Sequence, residues 1–143
     1  MKILYNSDCD LCFSHYGIEI PILDDRAKKV FDKLNQTFGH FNIIENYDIP
    51  KINRDDLTLV HNKDYVDALY SSYSNLEACM LKAYELVDIN GKYHRYYPEK
   101  ASKDFSHAFS IVLKQVGLTY LAGEEALKNN FCYFLNAFCL FCI

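Results

Sequence analysis

The amino-acid sequence predicts an α/β fold with a mainly parallel β-sheet. Short apolar runs of strand length alternate with segments in which apolar residues recur at the spacing of an α-helix. The last of these runs, Phe131–Leu135, is apolar at every position, as expected of a parallel strand covered on both faces. The chain has 143 residues, enough for one hydrophobic core and too few for two ordinary domains, so we expect a single domain over residues 1–143.

The amino-terminal part of the chain contains a predicted strand and a predicted helix. Lys2–Tyr5 is a short apolar run followed by polar residues, as expected of a buried first strand. Pro21 suits the first turn of a helix, and apolar residues recur at helical spacing as far as Phe38. We therefore predict a helix that begins at Pro21 and ends before Gly39, followed by a strand or extended linker at Phe41–Ile44.

Arg26 lies close to the apolar face of this predicted helix. A guanidinium group is rarely buried without a carboxylate or another anion beside it, so Arg26 is a candidate ligand-binding residue. The alternative is a surface arginine paired with Asp24 or Asp25, because ion pairs of that kind are common and weak.

An apolar run that begins at Leu57 leads through His61 into a helix start. Asn62 is a favourable N-cap, and Val66 and Leu69 follow at helical spacing. We therefore predict a strand that ends at His61 and a helix directly after it. Ligands collect at the carboxyl edge of open α/β sheets, so His61 is a candidate functional residue. The alternative is a histidine that hydrogen-bonds a neighbouring loop carbonyl.

A loop rich in tyrosine spans Tyr93–Lys100 and holds three tyrosines, a histidine and an arginine in eight residues. Tyrosine supplies a flat apolar face and a hydroxyl at low entropic cost, which suits a rim that contacts a ligand. Arg95 and Tyr97 are therefore candidate substrate-binding residues. Plain packing of this loop is the alternative, because tyrosine is abundant throughout the chain.

A long helix is predicted from Phe105 to Asn129, where apolar residues recur at helical spacing. Gly117 and Gly123 lie inside it. Each glycine costs about 1 kcal/mol relative to alanine in a helix, so we expect both to mark close packing against another element.

Six cysteines include two pairs with the spacing Cys-x-x-Cys, at Cys9 and Cys12 and at Cys139 and Cys142. Each pair has the spacing of a redox dithiol or of half a zinc site, and the two pairs together would supply the four thiolates of a structural zinc site. The second pair lies in an unbroken apolar string without the glycines and polar residues that usually surround such a site. We therefore predict free thiols and no metal site in this chain.

The overall charge and hydropathy exclude two classes of partner. The net charge is −4, the isoelectric point is near 5.7, and the basic residues are scattered, so we expect no binding to nucleic acid. No apolar run approaches the roughly 20 residues that a membrane span requires, so we expect no membrane association. The amino terminus also lacks a basic region followed by a long apolar stretch, so we expect a cytoplasmic protein.

Three segments resemble, in the right order, the amino-terminal part of the histone deacetylase and acetylpolyamine amidohydrolase family. Leu59–Leu69 is similar to the family's LVH-x-x-x-Y-V-x-x-L segment. Upstream, His15–Arg26 resembles the entry to the family's first helix. Downstream, Val116–Leu127 and then Phe131–Leu135 resemble the helix and strand that lead to the family's Gly-Gly-Gly-x-His-His-Ala loop. That loop is not found after Leu135.

The resemblance implies part of a three-layer α/β/α architecture of the arginase-deacetylase type. Family members hydrolyse the amide of acetyl-lysine or acetylpolyamines with a divalent metal, usually zinc, held by two aspartates and a histidine. By the same resemblance, Arg26 lies at the foot of the active-site tunnel, and the loop of Arg95 and Tyr97 overhangs the substrate channel. His15 and His61 would be structural junction residues.

The resemblance does not extend to the family's catalytic residues or metal ligands. We therefore expect the amino-terminal segment of such a domain, truncated or frame-shifted, with no catalytic residue, no bound cofactor and no activity of its own. The alternative is a small non-catalytic binding or assembly protein that uses the tyrosine-rich loop or the apolar carboxyl-terminal segment.

The carboxyl-terminal segment also predicts the oligomeric state. A buried parallel strand at Phe131–Leu135 needs a neighbour on each side, and the apolar residues Ala137–Ile143 that follow need cover. We therefore expect a homo-oligomer formed through this segment.

Overall fold

The computed structural model describes residues 2–20, 24, 26–38, 42–44, 49–129 and 132–134. Within these residues five α-helices and three short strands follow one another along the chain. They are β1 (Lys2–Leu4), α1 (Arg26–Phe38), β2 (Asn42–Ile44), α2 (Arg54–Thr58), α3 (Lys63–Ser71), α4 (Tyr73–Ala83), α5 (Phe105–Asn129) and β3 (Cys132–Phe134). Short 3₁₀ turns lie at Ser7–Cys9, Phe13–Tyr16 and Pro98–Lys100.

Helices dominate the described part of the chain, so the predicted three-layer α/β/α fold with a mainly parallel sheet is wrong. α5 alone has 25 residues, whereas each strand has three. The strands pair in parallel in the order β2-β1-β3, with Ile3 opposite Ile43 and Tyr133. A ladder of this length cannot form a layer with helices on both faces, and the helices carry most of the described core.

The strand predicted to end at His61 is also wrong, because a capping box turns this segment into a helix. The Asn53 side chain accepts hydrogen bonds from the N–H groups of Asp55 and Asp56, at 2.8 and 3.1 Å. The Asp56 carboxylate accepts one in return from the Asn53 N–H, at 2.8 Å. The box starts α2 at Arg54, and a turn connects α2 to the next helix at His61.

The helix predicted after Asn62 is present as α3. The Asn62 side chain accepts a hydrogen bond from the Asp64 N–H at 2.7 Å, which confirms the predicted N-cap. Val66 and Leu69 are buried, as their helical spacing predicts. The predicted first strand is confirmed at β1, and the long predicted helix is confirmed over the whole of α5.

α5 packs on both main groups of buried residues. The larger group joins α5 and α4 to the amino-terminal segment. Its members include Leu11, Phe13, Tyr16, Ile18, Leu76, Met80, Leu86, Phe105, Ala108 and Val112. The smaller group joins β1 to the second half of α5 through Leu4, Cys9, Leu118 and Ala122. The start of the chain therefore lies against the last long helix.

Gly117 lets the chain segment before α2 approach α5 at backbone distance. An alanine Cβ at this position would lie 2.8 Å from the Ile49 Cγ2 atom and closer still to the Pro50 carbonyl oxygen. The predicted close packing is confirmed at Gly117. At Gly123 it is wrong, because no heavy atom of the described residues lies within 4 Å of the corresponding Cβ position. None of the described helices combines the length and the apolar character needed to cross a bilayer.

Candidate functional site

The structure brings together some of the predicted site residues and separates others. His15, Arg95 and Tyr97 lie on two segments that pair with each other. His61 lies in a groove between α2 and α5.

Arg26 is the exposed first residue of α1. The buried residues of that helix, Ala27 and Phe31, form a separate small cluster with Tyr5. Asp24, one alternative partner of Arg26, accepts a hydrogen bond from the Phe13 N–H at 2.8 Å. Asp25 lies outside the described residues.

Residues 15–19 and 95–103 form a hydrogen-bonded arrangement that we call the loop clamp. The Tyr97 N–H donates to the Gly17 carbonyl at 2.7 Å, and the Glu19 N–H donates to the Arg95 carbonyl at 2.9 Å. The His15 carbonyl accepts from the N–H groups of Ser102 and Lys103, each at 2.9 Å. His15 therefore acts as a junction through its backbone, while its side chain is exposed.

Gly17 is required at the centre of the loop clamp. Its φ angle of +73° lies in the left-handed region, where residues with a Cβ are strained. An alanine Cβ there would also lie 2.9 Å from the carbonyl carbon of Tyr97. Arg95, in the facing segment, has a φ of +59°. A non-glycine residue in this conformation is held by its surroundings, as often occurs at ligand-binding sites.

Aromatic side chains support the loop clamp and also face solvent. The Tyr96 hydroxyl is buried and donates to the Glu77 Oε1 at 2.7 Å, and its burial together with this carboxylate raises its pKa. Tyr93 contacts the Tyr96 ring edge to face, at 5.1 Å between centroids. The Tyr97 ring has the Lys100 Nζ 4.2 Å from its centroid, and Lys100 also pairs with Glu19 at 2.6 Å. Tyr93 and Tyr97 remain exposed.

A second candidate site is an open cavity of about 640 Å³, which we call the α2/α5 groove. Its lining comes from the segment before α2, from α2 and the turn after it, and from α5. The lining residues are Pro50, Lys51, Ile52, Asp56, Leu57, Leu59, Val60, His61, Val116, Thr119 and Tyr120. Leu59 and Val60 are 83% and 77% exposed. His61 is one of the lining residues, and its ring meets the Tyr65 ring edge to face, with 6.0 Å between the ring centroids.

A tyrosine–histidine pair, which the sequence patterns did not single out, joins the amino-terminal segment to the start of α5. The Tyr16 hydroxyl and the His107 Nδ1 lie 2.8 Å apart, in a contact between residues 91 positions apart. Burial raises the pKa of Tyr16 to about 12. The Asp104 side chain caps the first turn of α5 by accepting from the His107 N–H at 2.9 Å. Asp104-x-x-His107 is a local signal for this cap, but its tyrosine partner is distant in sequence.

The described residues include no group of three or more His, Cys, Asp or Glu side chains placed to hold a metal ion. Cys9, Cys12 and Cys79 are free thiols. Burial raises the pKa of the Cys9 thiol to about 11, which disfavours the thiolate that zinc requires. Cys139 and Cys142 lie outside the described residues. The zinc centre that the family resemblance implies needs two aspartates and a histidine, and the described residues bring no such set together.

Comparisons with protein-family models, with curated proteins and with solved structures gave no match. The function is therefore inferred from the loop clamp, the α2/α5 groove and the sequence motifs.

Proposed function

We propose that this chain is a deacetylase-family segment that supplies a substrate-facing surface and has no hydrolytic activity of its own. The observation that supports this proposal best is the loop clamp. One of its two segments, residues 15–19, belongs to the part of the sequence that resembles the entry to the family's first helix. The other, residues 95–103, includes most of the loop that corresponds to the family's substrate-channel rim. Four backbone hydrogen bonds hold these two segments together.

The exposed side of the clamp has the chemistry to bind an acylated amine. The rings of Tyr93 and Tyr97, which are 51% and 37% exposed, offer flat apolar faces to the methylene chain of acetyl-lysine or an acetylpolyamine. The clamp holds Tyr97 by its backbone, so little ordering of the chain is needed when a ligand binds. The side chain of Arg95 is exposed next to it.

The test combines a turnover assay with a binding assay. Purified protein supplied with zinc should release no acetate from acetyl-lysine peptides or acetylpolyamines. In NMR titrations the acetyl-lysine peptide should bind weakly, and Tyr97→Ala should weaken binding at least fivefold, whereas Tyr120→Ala on α5 should not. Chelator-sensitive turnover would contradict the absence of hydrolytic activity. Equal effects of the two substitutions would contradict the assignment of the clamp as the binding surface.

A second candidate function is self-assembly through the carboxyl-terminal segment, and the position of β3 favours it. β3 is one of the two outer strands of the ladder that the described residues form, and an outer strand offers backbone groups to which another chain can bind. We propose a homo-oligomer formed through this strand and the apolar residues that follow it. Light scattering at micromolar concentration should give more than one chain per particle, and deletion of residues 136–143 should lower that number. A monomer at all concentrations would contradict this proposal.

A further inference from the structure

We propose that Asn90 deamidates spontaneously through a cyclic imide with the backbone of Gly91, and that this modification loosens the hairpin turn that leads into the loop clamp. The turn comprises residues 88–92, which we call the Asn-Gly turn. The reaction depends on the chemistry of this turn alone and is independent of the proposed deacetylase-family function.

The Asn-Gly turn closes a short hairpin. Val87 and Tyr93, on either side of it, form an antiparallel bridge. The Asp88 N–H donates to the Lys92 carbonyl at 3.0 Å. Gly91 has a φ of +78°, a left-handed conformation that glycine adopts without strain. A three-residue hairpin loop that ends in a left-handed residue is a common turn type, so the turn itself favours glycine after Asn90.

The two groups that would react are open to each other and to water. Asn90 and Gly91 are both exposed, and Ile89 beside them is fully exposed. None of the described residues makes a hydrogen bond to the Asn90 side chain. No heavy atom of the described residues lies within 4 Å of the position that a Cβ at Gly91 would occupy. The Gly91 nitrogen therefore has neither a Cβ nor a neighbouring group to shield it from the Asn90 side chain.

The reaction has two steps. The Gly91 nitrogen gives its proton to a solvent base and attacks the Asn90 Cγ, and the Cγ–Nδ2 bond breaks with release of ammonia, which takes up a proton from water. Water then opens the five-membered imide. Opening at Cγ gives aspartate, whereas opening at the Asn90 carbonyl carbon gives isoaspartate, in which the main chain runs through Cβ and Cγ. Both products contain an oxygen from water and carry a new negative charge.

Hydrogen bonds from Asp88 restrain the reacting nitrogen. The Gly91 N–H donates to the Asp88 carbonyl at 3.0 Å, so this bond must open before the nitrogen attacks. The Asp88 Oδ1 accepts from the N–H groups of Asn90 and Lys92, each at 2.8 Å. All of these residues are exposed, and exposed loops open locally at little cost in free energy. The turn therefore slows the reaction without preventing it.

Modification weakens the contacts that hold the turn. A carboxylate at position 90 repels the Asp88 carboxylate, to which the N–H of the same residue donates. Isoaspartate also adds one atom to the main chain, so the N–H groups that follow can no longer all keep their hydrogen bonds to Asp88. Tyr93 comes directly after the turn, and its ring contacts the Tyr96 ring at 5.1 Å between centroids. The modification therefore reaches the exposed aromatic side of the loop clamp.

The first test follows the full chain during storage at neutral pH in water enriched in heavy oxygen. Peptide mass spectrometry measures the oxygen taken up at each asparagine. Asn6 is the matched internal control, because a small residue, Ser7, follows it but its side chain accepts a hydrogen bond from the Asp8 N–H at 2.8 Å. Asn90 should take up oxygen about ten times faster than Asn6. Equal or slower uptake at Asn90 would overturn the assignment of the site.

The second test uses Asn90→Gln, which keeps the amide but places it one methylene too far away for the five-membered imide. This variant should lose the oxygen uptake in the peptide that contains the turn, and uptake that persists would overturn the assignment. Hydrogen exchange then compares the two proteins after storage. The His94 amide, which donates to the Leu86 carbonyl at 2.8 Å, should exchange several times faster in the wild-type chain than in Asn90→Gln. Equal exchange would overturn the loosening of the turn.

Discussion

Replacing the two glycines of α5 by alanine should change the stability of the protein in opposite directions. Gly117 and Gly123 lie in the same helix, so the intrinsic gain of helix propensity is the same for both, about 0.5–1 kcal/mol in favour of alanine. Only the space around the new methyl group differs. At Gly123 it meets no heavy atom within 4 Å, whereas at Gly117 it meets Ile49 and the carbonyl of Pro50.

The expected change in the free energy of unfolding follows from the clash at Gly117. The Pro50 oxygen must move by roughly 1 Å to reach ordinary van der Waals contact with the methyl group, and overpacking of this kind costs about 1–3 kcal/mol. After the gain in helix propensity, Gly117→Ala should lower the free energy of unfolding by about 1–2 kcal/mol. Gly123→Ala should raise it by about 0.5–1 kcal/mol. The gap between the two variants equals the cost of the clash, about 1–3 kcal/mol, and corresponds to about 3–10 °C in Tm for a chain of this size.

Urea denaturation followed by circular dichroism measures both variants, with the slope m checked for constancy. All samples need the same protein concentration, because association shifts apparent stability by mass action. If both substitutions stabilise the protein by similar amounts, the segment at Pro50 does not lie against α5. In that case Pro50 does not line the α2/α5 groove. Restoration of stability by a smaller residue at position 49 in the Gly117→Ala background would support the assigned contact.

Three further substitutions test the loop clamp, the tyrosine–histidine pair and the capping box. Gly17→Ala should cost about 3 kcal/mol in urea denaturation and Gly91→Ala only about 1–2 kcal/mol, because both have left-handed φ angles but only Gly17 faces a backbone carbonyl; equal losses would contradict that contact. Stability should fall as the pH rises from 10 to 12, because the pKa of Tyr16 is about 12 in the folded chain against an ordinary 10.0, so the unfolded chain releases this proton first. Tyr16→Phe should make stability fall less between pH 10 and 12. Parallel curves of stability against pH for the two proteins would refute the attribution of this loss to Tyr16. Asn53→Ala should lower the Tm in thermal unfolding by an amount equivalent to about 1 kcal/mol, whereas Asn35→Ala on an exposed position of α1 should not lower it.

Local signals in the sequence were sufficient where neighbouring residues determine an element. The polar residues after Leu4 and the Asn62 cap mark element ends without any tertiary information, and β1 and α3 were predicted correctly. The run Leu57–His61 shows the limit of this approach. A short apolar run fits a strand and a helical turn equally well, and the capping box at Asn53 decided the outcome. The local signal for this box is the pattern Asn-x-x-Asp at Asn53 and Asp56.

The fold class was predicted wrongly for a related reason. Apolar runs of four or five residues predict full strands, but each strand of the ladder has three residues and the run Leu57–His61 begins in α2. The proportion of strand to helix depends on how many residues of each apolar run pair with a neighbouring strand. That number is set by tertiary contacts.

The candidate site depends still more on distant contacts. The pairing of His15 with Ser102 joins residues 87 positions apart, and no periodicity in the chain predicts it. Gly17 is a local sign of the loop clamp. A glycine between Tyr16 and Ile18 in an apolar segment marks a left-handed backbone conformation or the close approach of another backbone segment. The other predicted residues, Arg26 and His61, lie on different elements, and their proposed roles in ligand binding stay predictions.

The order of strands in the ladder has a consequence for biosynthesis. β1 is made first, yet it lies between β2 and β3, and its partner residues Asn42 and Cys132 are far apart along the chain. At about 5–20 residues per second, a ribosome delivers β3 on the order of ten seconds after β2. During that interval one side of β1 lacks its native neighbour, and the buried residues that α5 contributes around Leu118 arrive only near its end. The nascent chain therefore completes the core around β1 late, and until then one edge of its first strand is open to pairing with another chain.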